Sequence, residues 1–311
     1  MKPGSDESAP VDRSARNERP FNEFQLRVLA QSSFACALVA LSACSSATPT
    51  EASPTGDAGS NTDAPLGTTA GFKTHVILGD SISDRGGEGP FFYDLLDAND
   101  DTKYPAFKGK DLATKYGIGP SAIEKHSKGG SKSADLLNQA KLLPTTLAGP
   151  VLITITIGGN DVIGALADLQ LNHTDVPERT AFTTNLDASL AELTTPGRFG
   201  AGVTVKILLT NIYDPSGGNG DFKFSSGASC PGAFGFWPAG TPTEPLITPW
   251  ETVVTTVTAK YPQATSLDLK ARFHDHAVPA ATTWFYTDCI HPNALGHDQI
   301  RQLFWDAVSA L

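Results

Sequence analysis

No run of lysine and arginine appears anywhere in this 311-residue chain, and its formal charge is −10. Neutralising a phosphate backbone needs a basic face, so nucleic acid is not an expected partner. Long apolar runs are missing too. The best segment, residues 28–43, is interrupted by Gln31, Ser32 and Ser33 and falls short of the roughly 20 residues that span a bilayer as a helix. There is no Gly-x-Ser-x-Gly elbow and no dinucleotide fingerprint, and Gly130-Ser131-Lys132-Ser133 lacks the Gly-Lys-Ser/Thr of a phosphate loop. His274-Asp275-His276 has no recognisable further ligand cluster, so no metal is expected. No other cofactor is expected either. Internal repeats are absent, and cysteine is scarce: Cys36, Cys44, Cys230 and Cys289.

What is present begins with a leader. Residues 2–27 are charged and unusually long for one, which a true start at Leu26 or Val28 would explain; Arg27 then precedes the apolar segment. This reads as a signal peptide. It closes on Leu41-Ser42-Ala43-Cys44, which resembles the lipobox of bacterial lipoproteins, with Cys44 as the lipid-bearing residue after cleavage. The alternatives are an ordinary secretory signal cut nearby or an uncleaved anchor helix. Residue 45 is Ser45 rather than aspartate, which by resemblance to lipoprotein sorting in Gram-negative bacteria favours the outer membrane. Residues 45–71 are mostly Ala, Thr, Ser, Pro and Gly, with the acids Glu51, Asp57 and Asp63 and no basic or aromatic residue. Such a stretch cannot build a core. As a flexible tether it would hold the next domain on the order of 30 Å from its anchor.

Residues 72–311 are expected to form one domain. With Cys36 in the signal and Cys44 in the lipobox, Cys230 and Cys289 remain as an even pair in an exported domain. A disulfide is expected, against the alternative of two buried thiols. Strand candidates near 74–78, 122–125, 151–157, 203–210 and 264–269 alternate with helical patterns at 91–98, 134–142, 161–171, 179–193, 252–260 and 294 to the end. That alternation implies a parallel sheet. In the last helix Ile300, Leu303, Phe304, Ala307, Val308 and Leu311 form one apolar stripe. Residues 214–249 read as a long loop carrying Phe222, Phe224, Phe234, Phe236 and Trp237. Such a loop either packs on its own aromatics or walls an apolar substrate pocket.

Polar residues cluster beyond the strand ends, where open α/β sheets place their sites. Gly79-Asp80-Ser81-Ile82-Ser83 follows the first strand, Gly129-Gly130 the second and Gly158-Gly159-Asn160-Asp161 the third. Asp288-Cys289-Ile290-His291 precedes the last helix. A serine alcohol needs a base, and the base needs an orienting carboxylate. Ser81 is thus the candidate nucleophile, His291 the base and Asp288 its partner. The N–H groups of Ser81 and Gly130 and the side-chain amide of Asn160 are candidate oxyanion donors. Asp80 and Asp84 read as turn and hydrogen-bonding residues, Ser83 as packed behind the loop, and Asp161 as the cap of its own helix. His297 reads as structural or exposed, and Cys289 is badly placed for a nucleophile.

On these four blocks, which span residues 73 to 297, the chain resembles the GDSL, or SGNH, hydrolase superfamily of serine esterases and lipases. The first, third and last blocks match closely. The second departs, because its glycine lacks the usual asparagine-bearing pattern, so Gly129 and Gly130 compete for that role. The resemblance implies a three-layer α/β/α sandwich around a mostly parallel five-stranded sheet, and metal-independent ester hydrolysis. The function expected is an exported, lipid-anchored serine esterase or lipase, acting as a monomer on a small-molecule, lipid or glycan ester. Its rivals are a carbohydrate O-acetyl esterase and a non-catalytic surface binding module.

Overall fold

Five short apolar runs become the strands β1 (Thr74–Gly79), β2 (Ile123–Lys125), β3 (Val151–Thr156), β4 (Val205–Thr210) and β5 (Ala264–Leu267) of one sheet, all parallel, in the order β2-β1-β3-β4-β5. The computed structural model describes residues 71–311 except 173, 233, 235, 236 and 239. The signal segment, Cys44, the tether up to residue 70, and Phe236 lie outside the described residues.

β1 and β3 are buried along their whole length, as a parallel sheet covered on both faces requires. Successive side chains feed opposite layers. Val76 and Leu78 of β1, with Ile153 and Ile155 of β3, meet α3 (Ser133–Leu142), α4 (Gly159–Asn172), α5 (Val176–Thr194) and α6 (Glu244–Thr258). Ile77 and Leu152 face the other way, toward α1 (Phe92–Asp97), α2 (Leu112–Tyr116), α7 (Leu269–Phe273) and α8 (Ala294–Ser309). The result is the three-layer α/β/α sandwich. Ile300, Phe304 and Val308 of the last helix are fully buried in the second layer, whereas Leu311 is exposed beyond the helix end. One polar tie crosses the core: His75 lies 2.6 Å through Nδ1 from Asp97 and 2.9 Å through Nε2 from Thr154 Oγ1. A buried imidazole needs such partners, and these fasten α1 to β1 and β3.

Several elements depart from expectation, α7 among them. α6 starts at Glu244, inside the segment read as loop. Pro245 sits in its first turn, where a missing N–H costs nothing, and Pro249 gives up one helical bond further in. β5 stops at Leu267, because Asp268 accepts the N–H of Ala271 at 3.0 Å and so caps α7. α2 has no periodicity to announce it, being five residues held by the Asp111 side chain, which accepts the N–H of Thr114 at 2.7 Å.

Candidate active site

β1 ends in a turn that only glycine permits. Gly79 has φ +121°, and a Cβ there would stand 1.9 Å from the carbonyl oxygen of Thr156. Gln139 clasps the same peptide, accepting from Gly79 N at 2.7 Å and donating to Gly79 O at 2.9 Å. Asp80 is buried behind the turn, where its Oδ1 accepts from Ile82 N at 3.1 Å and from Thr156 Oγ1 at 2.8 Å. Ser83 is buried as well, its Oγ 2.8 Å from Thr156 Oγ1. Burial pushes the Asp80 carboxyl up to about 7 against the pull of those hydrogen bonds.

The turn lifts Ser81 toward the loop before α8. Its Oγ lies 2.7 Å from His291 Nε2, and His291 Nδ1 lies 2.7 Å from Asp288 Oδ2. The other Asp288 oxygen accepts the N–H groups of Ile290 and His291, each at 3.0 Å. Burial alone would raise the Asp288 carboxyl. The bonds from the His291 ring and from the two N–H groups outweigh it, leaving the group below the usual carboxylate range. An anionic carboxylate on Nδ1 fixes the tautomer that leaves Nε2 free to take a proton.

Two further ties hold this loop. The Cys230–Cys289 disulfide is present, with Cα atoms 5.7 Å apart. Tyr213, just beyond β4, donates its hydroxyl to Ile290 O at 2.5 Å. Its ring stacks on Phe273 and meets Phe285 edge-on. No motif marks Tyr213; its place past the carboxyl end of a central strand is the one signal a sequence offers.

The second and third blocks come to the same end of the sheet. A Cβ on Gly129 would lie 3.9 Å from the Cβ of Ser81. The Gly129 N–H donates to Asp84 Oδ2 at 2.9 Å, and Asp84 also holds Lys125 Nζ at 2.5 Å. The N–H groups of Ser81 and Gly130, by contrast, have no acceptor among the described residues. Asn160 lines the same cleft as Ser81 and His291 and gives one amide hydrogen to Ser131 O at 3.0 Å. Asp161 caps a different helix from the one expected. α4 already starts at Gly159, so the Asp161 carboxylate reaches across to α3 and accepts from Ser133 N at 2.9 Å and Ser133 Oγ at 2.7 Å.

The cleft encloses about 940 Å³ including its open mouth, and its walls are mainly apolar. Val162, Ile163 and Leu166 of α4 form one side and Ile247 and Trp250 of α6 another. Phe222, Phe234 and Trp237 line it from the long loop while also packing on each other. The loop thus packs on its own aromatics and also forms part of the wall of this apolar cleft. Among the described residues, no group of three His, Cys, Asp or Glu side chains could hold a metal ion. His276 instead stacks on Trp284, with centroids 3.7 Å apart.

Residues 77–299 match the model of the GDSL-like lipase/acylhydrolase family. Comparison with curated proteins finds no match. Among solved structures the chain is similar to a lipase from a goat rumen metagenome, at 18% identity and TM-score 0.48, covering 76% of this chain and 97% of that chain. It is similar to phospholipase A1 from Streptomyces albidoflavus, at 19% identity and TM-score 0.45, covering 75% and 98%. Similarity to an acetylxylan esterase from Geobacillus stearothermophilus is 17% in identity with TM-score 0.47, covering 76% and 94%. The family match spans most of the described residues, and the chain belongs to the GDSL-like lipase/acylhydrolase family as a hydrolase of ester bonds.

Proposed function

We propose that this hydrolase is an exported serine esterase or lipase that works through an acyl-enzyme on Ser81. The observation that carries the reading is the continuous relay from Ser81 Oγ to His291 Nε2 and from His291 Nδ1 to Asp288, each step 2.7 Å. Ser81 Oγ attacks the ester carbonyl while its proton passes to Nε2. The imidazolium, stabilised by Asp288, returns that proton to the leaving alcohol. A water deprotonated by the same nitrogen then attacks the acyl-serine, and the imidazolium returns that proton to Ser81 Oγ as the acid is freed. Three donors would receive the oxyanion: the N–H groups of Ser81 and Gly130, which have no other acceptor among the described residues, and the second amide hydrogen of Asn160.

The apolar walls favour an ester with an aliphatic acyl chain over an acetylated sugar. Each methylene buried is worth about 0.8 kcal/mol, so kcat/KM on soluble nitrophenyl esters is expected to rise by up to about fourfold per added methylene until the cleft is filled. Initial rates across that series, set beside acetylated xylo-oligosaccharides, test this. A flat series with faster release of acetate from the sugars would move the assignment to a carbohydrate O-acetyl esterase.

Export and a lipid anchor at Cys44 form part of the same proposal. The lipobox-like Leu41-Ser42-Ala43-Cys44 supports them, as does the buried disulfide, a bond suited to oxidising compartments. Full-length protein is expected in the membrane fraction, and Cys44→Ser protein outside it. Equal partitioning of the two would remove the anchor.

A further inference from the structure

One buried histidine has no part in the chemistry above. His297, in the first turn of α8, is fully buried six residues after His291. Its Nε2 lies 2.8 Å from the carbonyl oxygen of Gly86. A carbonyl only accepts, so Nε2 carries the proton and Nδ1 is bare, with no hydrogen-bond partner. Burial holds the ring far below the usual histidine range, at about 4, so it stays a neutral donor through the physiological range. An orphaned buried nitrogen is a cost that an aliphatic side chain would avoid. The single bond His297 does make therefore draws attention to what Gly86 touches.

Gly86 touches both reacting side chains' supports. Its N–H donates to the carbonyl oxygen of Ser81 at 2.6 Å. A Cβ on Gly86 would stand 2.3 Å from His291 Cδ2 and 2.8 Å from His291 Nε2. The peptide chain itself thus lies against the imidazole edge that faces Ser81. The neighbouring Arg85 is held at φ +69°, in the left-handed region that a non-glycine residue leaves when it can. Asp288 grips the His291 ring at Nδ1 only, its other oxygen taking the backbone N–H, which leaves the ring free to rock about the Nδ1 bond unless something braces the far edge.

We propose that His297 is a positioning residue for this reaction: through its hydrogen bond to Gly86 O it clamps the 85–87 segment against His291 and keeps Nε2 aligned on Ser81 Oγ. The inference rests on the serine-esterase reading. Without the clamp the segment relaxes, the ring gains room, and the aligned fraction of the Ser81–His291 pair falls.

The experiment compares wild type, H297L and H297Q by two readouts: the rate at which a fluorophosphonate labels Ser81, and kcat and KM on a short-chain nitrophenyl ester. Misplacement by about 1 Å costs on the order of 100-fold. H297L is accordingly expected to lose roughly 10- to 100-fold in labelling rate and kcat, with KM within about twofold. H297Q, whose amide N–H reaches toward Gly86 O, is expected to recover most of the loss. H297N, too short to reach, replaces H297L if that variant does not fold, and should behave like it. A folded H297L that labels at the wild-type rate overturns the inference alone, as does an H297Q no better than H297L. Failure of the wild type to label overturns the serine-esterase reading and this inference with it.

Discussion

On the proposed acyl-enzyme mechanism, Ser81→Ala is expected to lower kcat on any ester the enzyme turns over by roughly 10⁴- to 10⁶-fold, because nucleophile and base would act as a unit. The variant should fold normally: Ser81 Oγ makes its bond to His291 at a partly buried position, and the turn is held by Gly79, Gln139 and the Asp80 carboxylate rather than by the hydroxyl. The unit has a kinetic signature. His291→Ala alone should cost about as much as Ser81→Ala, and the double variant little more than either. Asn160→Ala should be milder, at about 100- to 1000-fold, since one oxyanion donor is removed while the relay stays intact. Steady-state kinetics on the four proteins, with circular dichroism to confirm folding, checks that order. Activity retained in Ser81→Ala would remove the acyl-enzyme.

Removing the disulfide is the second large effect, and it falls on stability and turnover together. Cys230 and Cys289 are 59 residues apart in sequence and both buried. Opening a loop of that size is worth about 4 kcal/mol on the chain-entropy model. For a domain of this size that corresponds to a fall in Tm of roughly 8–16 °C. Cys289 sits between Asp288 and His291 in the left-handed region, at φ +61°, and its bond ties that loop to Cys230, whose N–H donates to the carbonyl of Phe222 at 2.9 Å. Cys230→Ala/Cys289→Ala therefore loosens both the acid–base loop and the aromatic wall of the cleft. Calorimetry should show the lower Tm, and kinetics a lower kcat at temperatures where the variant is still folded. An unchanged Tm with unchanged kcat would mean that the bond holds neither.

Much of this arrangement was legible in the sequence because the chemistry sits in short blocks at strand ends. The run Val76-Ile77-Leu78 before Gly-Asp-Ser announces both the strand and the turn, and the Asp288 to His291 spacing puts carboxylate and imidazole in one loop. The disulfide follows from the cysteine count once the leader is set aside. Long-range packing left no comparable trace. Asp161 reads as a helix cap from its position after Gly-Gly-Asn, yet which helix it caps depends on how α3 and α4 approach. Residues 244–249 read as the end of a loop, yet α6 starts at Glu244 and runs through Pro249, with Trp250 buried. Tyr213 and His297 act through backbone carbonyls at Ile290 and Gly86, 77 and 211 positions away in the chain. No local pattern can encode such pairings.

The most direct test of the central claim is peptide mapping by mass spectrometry after the purified protein has reacted with a fluorophosphonate ester. A single adduct on the peptide bearing Ser81, absent from His291→Ala protein, is the expected result. An adduct elsewhere, or none on folded wild-type protein, would contradict the account, because an activated serine at Ser81 is what every step of it requires.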